Sequence, residues 1–331
     1  MTTKNFVCAL LLSLSLAATH PAHSQVGRIS SRRDILGRTG MPGSLQMRSS
    51  KVTQSAKAVP DPVALGLASA KVYKYATVDY PGAALSGAFD TNAATAVGFF
   101  VNDPTNLLST DTAFTFNGVY RIVAVPGATT SFLAGINTSG QMVGGYIDAS
   151  STVHSFLDSA GLITSFDPPG STGSEAFTIS DSGQIVGSYA DASGVLHGYV
   201  DNAGVFTTID YPGAIATNAT AGNLAGDIVG LWEDASSNIH GFLFSGGTYT
   251  SLDFPLAINT QPQGINDAGE IAGGYFDAAN VLHGFIYSDS AYSRVDVPGA
   301  KSTILIRIKN SGAITGEFTD ALDETHGLRG H

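Results

Sequence analysis

Cysteine, charge and long apolar runs are all scarce in this 331-residue chain. The single cysteine, Cys8, falls in the first apolar run, so residues beyond it can hold no disulfide, no thiolate metal site and no thiol nucleophile. Only 13% of residues are charged, and the Leu, Glu, Lys and Arg that build an all-helical domain are sparse. The run Phe6 to Ala18 is too short to cross a bilayer, which takes about 20 apolar residues. With Lys4 before it and the small residues Ala22 and Ser24 after it, residues 1–24 have the layout of a secretory signal peptide cleaved after Ser24. The expected address is therefore outside the cytoplasm, either periplasmic or extracellular.

Glycine is plentiful, with 39 residues, and charge is unevenly placed. Residues 25–70 carry Arg28, Arg32, Arg33, Arg38, Arg48, Lys51 and Lys57 against Asp34 and Asp61, in a Ser-, Gly- and Pro-rich stretch without apolar period. That composition predicts a basic, disordered linker. Residues 71–331 hold 25 acidic and eight basic residues, a balance that argues against binding a phosphate backbone and so against a nucleic-acid partner.

The same region is periodic. His154, His197, His240, His283 and His326 recur every 43 residues, as do Gly140, Gly183, Gly226, Gly269 and Gly312, and Asp148, Asp191, Asp234, Asp277 and Asp320. A further ladder, Asp167, Asp210, Asp253 and Asp296, opens the segments DPPG, DYPG, DFPL and DVPG. A more diverged unit precedes these, marked by Asp79, Asn92, Gly98 and Thr112-Ala113-Phe114, and is about four residues longer around Asp103 to Thr110. Within Ile265 to Ala300, β-prone runs alternate with turns at Asn266 to Gly269, Asp277 to Asn280 and Ser288 to Ser290, giving four antiparallel strands per unit. Six such units predict an all-β fold over 71–331, a six-bladed β-propeller of four-stranded blades. The last unit stops at its third strand and Val72 to Asp79 is an unattached fourth, so the N-terminal strand is expected to complete the C-terminal blade.

The segments His154-Ser155-Phe156, His197-Gly198-Tyr199, His240-Gly241-Phe242 and His283-Gly284-Phe285, with INTSGQMVGGY and INDAGEIAGGY upstream, resemble the HAF family of secreted bacterial repeats, named for a His-Ala-Phe signature. Here the middle residue is Gly or Ser, and His326 is followed by Gly-Leu. The resemblance implies export and repetition, and no particular activity.

A catalytic residue is needed once, whereas a residue present in five units answers a need of every unit. The repeated histidines are therefore read as structural, each in a buried hydrogen bond with a neighbouring Asp or backbone group, and the Asp of each second turn as a cap of its own turn. Calcium would want several oxygens in one loop, and only Asp320, Asp323 and Glu324 approach that, so no cofactor is expected elsewhere. No GxSxG elbow, HExxH helix or Gly-rich phosphate loop occurs, and Arg121, Arg294, Arg307 and Arg329 are too few and scattered for a sialidase arginine cluster. Trp232, where neighbouring units carry Tyr, reads as a packing variant.

Function is better sought where the repeats disagree. Just before each first turn stand Asp90, Gly135, Thr178, Ala221, Gly264 and Arg307, and three residues earlier Gly87, Phe132, Glu175, Asn218, Gln261 and Ile304. The polar exceptions Asp90, Glu175, Thr178, Asn218, Gln261 and Arg307 are the candidate ligand residues at the channel mouth. Two readings follow. One is a non-enzymatic exported module that binds or scaffolds a surface polysaccharide or another exported protein. The other is a hydrolase or lyase for a glycan or lactone, with Asp90 and Glu175 as carboxylates and Arg307 as an anion clamp; it requires all three around one pocket.

Overall fold

The computed structural model describes residues 73–83, 85–101 and 112–331. The expected signal peptide, the basic linker and the extra segment of the first unit lie outside these residues. The described chain contains no helix and forms six four-stranded antiparallel sheets, each one repeat, arranged as the blades of a propeller. The innermost strands are Leu85–Thr91, Ala128–Ile136, Gly173–Ile179, Ala216–Gly222, Asn259–Ile265 and Ser302–Ile308, for blades one to six. Inner strands of successive blades touch, and Leu85–Thr91 touches Ser302–Ile308, which closes the ring. In blade six the outer position is taken by Tyr75–Thr77, paired with the third strand through Tyr75 to Gly330, Ala76 to Arg329 and Thr77 to Leu328.

The repeat motifs have simple packing roles. Phe114, Phe156, Tyr199, Phe242 and Phe285, in the third strands of blades one to five, and Leu328 in that of blade six are wholly buried. Burying a side chain of that size is worth roughly 1.5–3 kcal/mol, and a ring of small blades needs one such anchor per blade. The glycines of the second strands, Gly98, Gly144, Gly187, Gly230, Gly273 and Gly316, sit where an added Cβ would lie 1.9–2.2 Å from an inner-strand carbonyl oxygen. No other residue fits that approach, so glycine fills the column in all six blades.

Every inner strand carries a bulge at the same register, at Phe89, Ala134, Phe177, Thr220, Gln263 and Ile306. A bulged residue has no partner in the ladder, and the strand twists around it. Six bulges at one height therefore build a narrow neck in the channel, lined by those six residues and Arg307. On one side of the neck Phe89, Phe99, Phe132, Phe177, Ile304 and Ile306 join a single apolar cluster. On the other, the channel opens into a funnel.

Candidate functional site

The funnel has a volume of about 330 Å³ and is walled by the first turns of all six blades. Asn92, Asn137, Asn223 and Asn266 cap these turns, each side-chain oxygen accepting backbone N–H groups of its own turn. Each of the four amide groups also reaches the next blade, donating to the carbonyls of Asn137, Ser180, Asn266 and Lys309 at 3.1–3.3 Å. Ser180 and Lys309 replace Asn in blades three and six. The amide chain is thus interrupted at two opposite seams, between blades three and four and between six and one.

At the second seam Lys309 Nζ lies 2.5 Å from Asp90 Oδ1. Asp90 is buried, and its carboxylate also accepts the N–H of Thr91 at 2.8 Å and that of Ile136, in blade two, at 3.0 Å. Arg307 forms the funnel floor. Its Nη1 donates to the carbonyls of Gln263 at 2.6 Å and Ile306 at 2.9 Å, and its Nη2 to those of Phe177 at 2.7 Å and Ala134 at 3.4 Å. These acceptors are the bulge carbonyls of blades two, three, five and six, freed from the ladder by the irregularity that makes the neck. Burial lowers the guanidinium pKa to about 10, and Asp90 opposes that effect, so the group stays charged at neutral pH.

Of the six candidate residues, the structure brings Asp90, Thr178 and Arg307 to the funnel. Glu175, Asn218 and Gln261 are not on its wall. They lie on the far side of the bulge from the funnel, where Glu175 meets blade two and Asn218 blade three. Asn218 accepts from Ser188 Oγ at 2.7 Å, while Gln261 and Glu175 are buried with Oε1 of each lacking a partner among the described residues. Glu175 packs over Gly145 of the preceding blade, where an added Cβ would meet its Cγ at 3.5 Å. Glu317 similarly occupies the space left by Gly87 of blade one. Burial pushes both carboxyls up to about 8, so they are protonated at neutral pH.

Four residues of the site escape the registers chosen from sequence: Lys309, Arg329, Gln263 and Thr220. Lys309 was visible as an exception in the Asn ladder. Gln263 and Thr220 were not, since nothing in the repeat marks the bulge position as the one that points inward.

The opposite face of the ring carries the repeated histidines. Nδ1 of His154, His197, His240, His283 and His326 lies 2.8–3.1 Å from a carboxylate oxygen of Asp167, Asp210, Asp253, Asp296 and Asp79. Nε2 lies 3.3–3.7 Å from Asp148, Asp191, Asp234, Asp277 and Asp320. Each histidine thus bridges the two Asp ladders. The histidines expected to be buried are half-exposed apart from His283, because the second-turn Asp stands at the rim and the ring reaches out to it. Those turn carboxylates cap their own loops; the N–H groups of Val195 and Ser193 hold Asp191 below the usual range, and the amide of Asn238 draws Asp234 down to about 2. In blade one Thr112 and Ala124 occupy the positions of His and its Asp, so both partners are replaced together. Trp232 lies flat between Tyr211 and His240, with ring centres at 4.1 and 4.5 Å, as a packing element.

The expected calcium group is rearranged. Asp320, Glu324 and His326 have ligand atoms within 4.8 Å of one another, but Asp320 Oδ1 is occupied by the N–H groups of Leu322 and Glu324. Asp323 turns away to Lys301 at 2.6 Å, since its backbone takes a left-handed conformation (φ 69°) at the turn.

Neither a family model nor a curated protein matches the sequence. Among solved structures the chain is similar to TolB from Acinetobacter baumannii, at 11% identity and a TM-score of 0.50, over 74% of this chain and 65% of that one. It is also similar to AofleA from Arthrobotrys oligospora, at 12% identity and 0.49, over 77% and 89%. The β-propeller domain of the Trilobed protease from Pyrococcus furiosus matches at 8% and 0.45, over 75% and 94%. At such identities the likeness concerns the fold alone. The chain is a six-bladed β-propeller.

Proposed function

We propose that this protein is an exported, non-enzymatic binding module whose ligand site is the funnel at the first-turn mouth, and that its ligand is an acidic saccharide of a surface polysaccharide. The observation that carries this reading is the exposed Arg329 on the funnel wall: the carboxylates that share the lining are engaged, Asp90 by Lys309 and Asp181 and Asp267 by the N–H groups of Thr138 and Leu224. Concave sites with a few convergent polar groups are the usual ligand sites, and an exposed guanidinium among carboxylates already engaged favours an anionic ligand over a neutral one. Thr178 lines the funnel at the seam between blades three and four, where the amide chain is interrupted.

The catalytic alternative loses its pair. Glycoside cleavage takes two carboxylates roughly 5–10 Å apart across the scissile bond. Asp90 is committed to Lys309 and two backbone amides, and Glu175 is turned into a blade interface.

Titration calorimetry with uronic-acid oligosaccharides and their neutral counterparts tests the proposal. Acidic ligands should bind more tightly, and Arg329→Glu, an exposed change, should weaken them about tenfold with melting unchanged. Equal affinity for neutral and acidic sugars, or an Arg329→Glu protein that binds as before, would place the ligand elsewhere.

A further inference from the structure

Beneath the Arg307 guanidinium, at the level of the bulges, a small cavity is lined by Phe89, Ala134, Phe177, Thr220, Gln263 and Ile306 together with Arg307 itself. Its volume of about 10 Å³ admits one water-sized sphere and nothing polyatomic. Two side-chain groups on this wall, Arg307 Nε and Gln263 Nε2, are buried and find no acceptor among the described residues. Both are donors. Thr220 is already spent, its hydroxyl directed at the carbonyls of Val229 and Pro262.

The charge count agrees with the donor count. Arg307 and Lys309 are two cations, and Asp90 is the carboxylate they share. Glu175, on an inner strand, and Glu317, on the second strand of blade six, are buried, protonated at neutral pH and cancel nothing. The neck thus holds a buried guanidinium without a carboxylate of its own, donors without an acceptor among the described residues, and the apolar side chains of Phe89, Phe177 and Ile306. A buried cation in a medium of low dielectric calls for a partner charge more strongly than it would in water.

We infer that this neck is a binding site for a single monatomic anion, a halide, held by Arg307 Nε and by the Gln263 amide and enclosed by the bulge residues. The anion would complete the charge balance of the neck and lock the inner strands of blades five and six to those opposite. A neutral water, somewhat smaller than a halide, is the competing occupant.

Two measurements on the purified protein separate them. Crystals grown in bromide should show an anomalous peak within hydrogen-bond distance of Arg307 Nε. Replacing chloride by gluconate at constant ionic strength should lower the melting temperature by about 5 °C, because an ion bound only to the folded ring stabilises it by mass action. In Gln263→Leu and Arg307→Met both signals should vanish; if the arginine variant does not fold, the glutamine variant alone decides. A neck without anomalous density, or a melting change that persists undiminished in Gln263→Leu and is thus a bulk salt effect, overturns the assignment.

Discussion

The two faces of the ring obey opposite rules. On the rim of the second turns, five blades repeat one arrangement, a histidine bridging two aspartates with spacings that agree within 0.3 Å at Nδ1. At the first-turn mouth and in the neck the blades differ, and the differences interlock: Arg307 of blade six is held by carbonyls of blades two, three and five, and Lys309 by Asp90 of blade one. Repetition marks what each blade needs in order to fold. Departure from it marks what the ring builds once, from all blades together.

Breaking the unique side should have the largest effect. Arg307→Met strands the bulge carbonyls and leaves Asp90 with Lys309 alone among the described cations, so it should cost about 3–5 kcal/mol of stability by denaturant melting. A loss below about 1 kcal/mol would reduce Arg307 to a filler.

Glu175 gives the next effect, and it depends on pH. Its folded pKa, about 8, is raised above the ordinary value of 4.5, so the folded state holds the proton more tightly. The stability this contributes is present below pH 4.5 and is lost as pH rises through 8. Glu175→Gln should therefore match the parent near pH 4 and exceed it by about 5 kcal/mol near pH 9, since each tenfold gain in proton affinity corresponds to roughly 1.4 kcal/mol. A pH-independent difference between the two proteins would contradict the burial. The rim aspartates act in the opposite direction. Their pKa values are lowered, to about 2 at Asp234, so their contribution holds above pH 4 and disappears as pH falls through 2.

On the repeated side, His283→Ala removes the most buried bridge and should cost about 1–3 kcal/mol. Combined with His154→Ala, on the opposite side of the ring, the losses should add to within about 0.5 kcal/mol. A coupling well beyond that would mean the bridges act as one unit across the ring. The smallest effect is a gain: Thr112→His with Ala124→Asp restores the missing pair of blade one and should add about 0.5–1 kcal/mol, measurable as a rise in melting temperature.

The repeat made the architecture legible because a 43-residue period with Asn-Gly and Asp turns leaves room for four short strands and little else. The His and Asp ladders were legible as structural on the same ground, although their half-exposed setting was not. The candidate site was only partly so. Asp90, Thr178 and Arg307 were found as exceptions in a column, and Lys309 could have been found in the same way. Glu175, Asn218 and Gln261 were expected at the channel mouth and lie beyond the neck, because the channel there is lined by the bulge residues Phe177, Thr220 and Gln263, which leave no mark in residue type.

The most direct test of the division between the two faces is a paired measurement on His240→Ala and Arg329→Glu, each by melting temperature and by affinity for an acidic oligosaccharide. His240→Ala should melt lower and bind as the parent does, while Arg329→Glu should melt unchanged and bind about tenfold more weakly. A histidine variant that keeps its stability and loses the ligand would move the functional site to the repeated face and contradict the account.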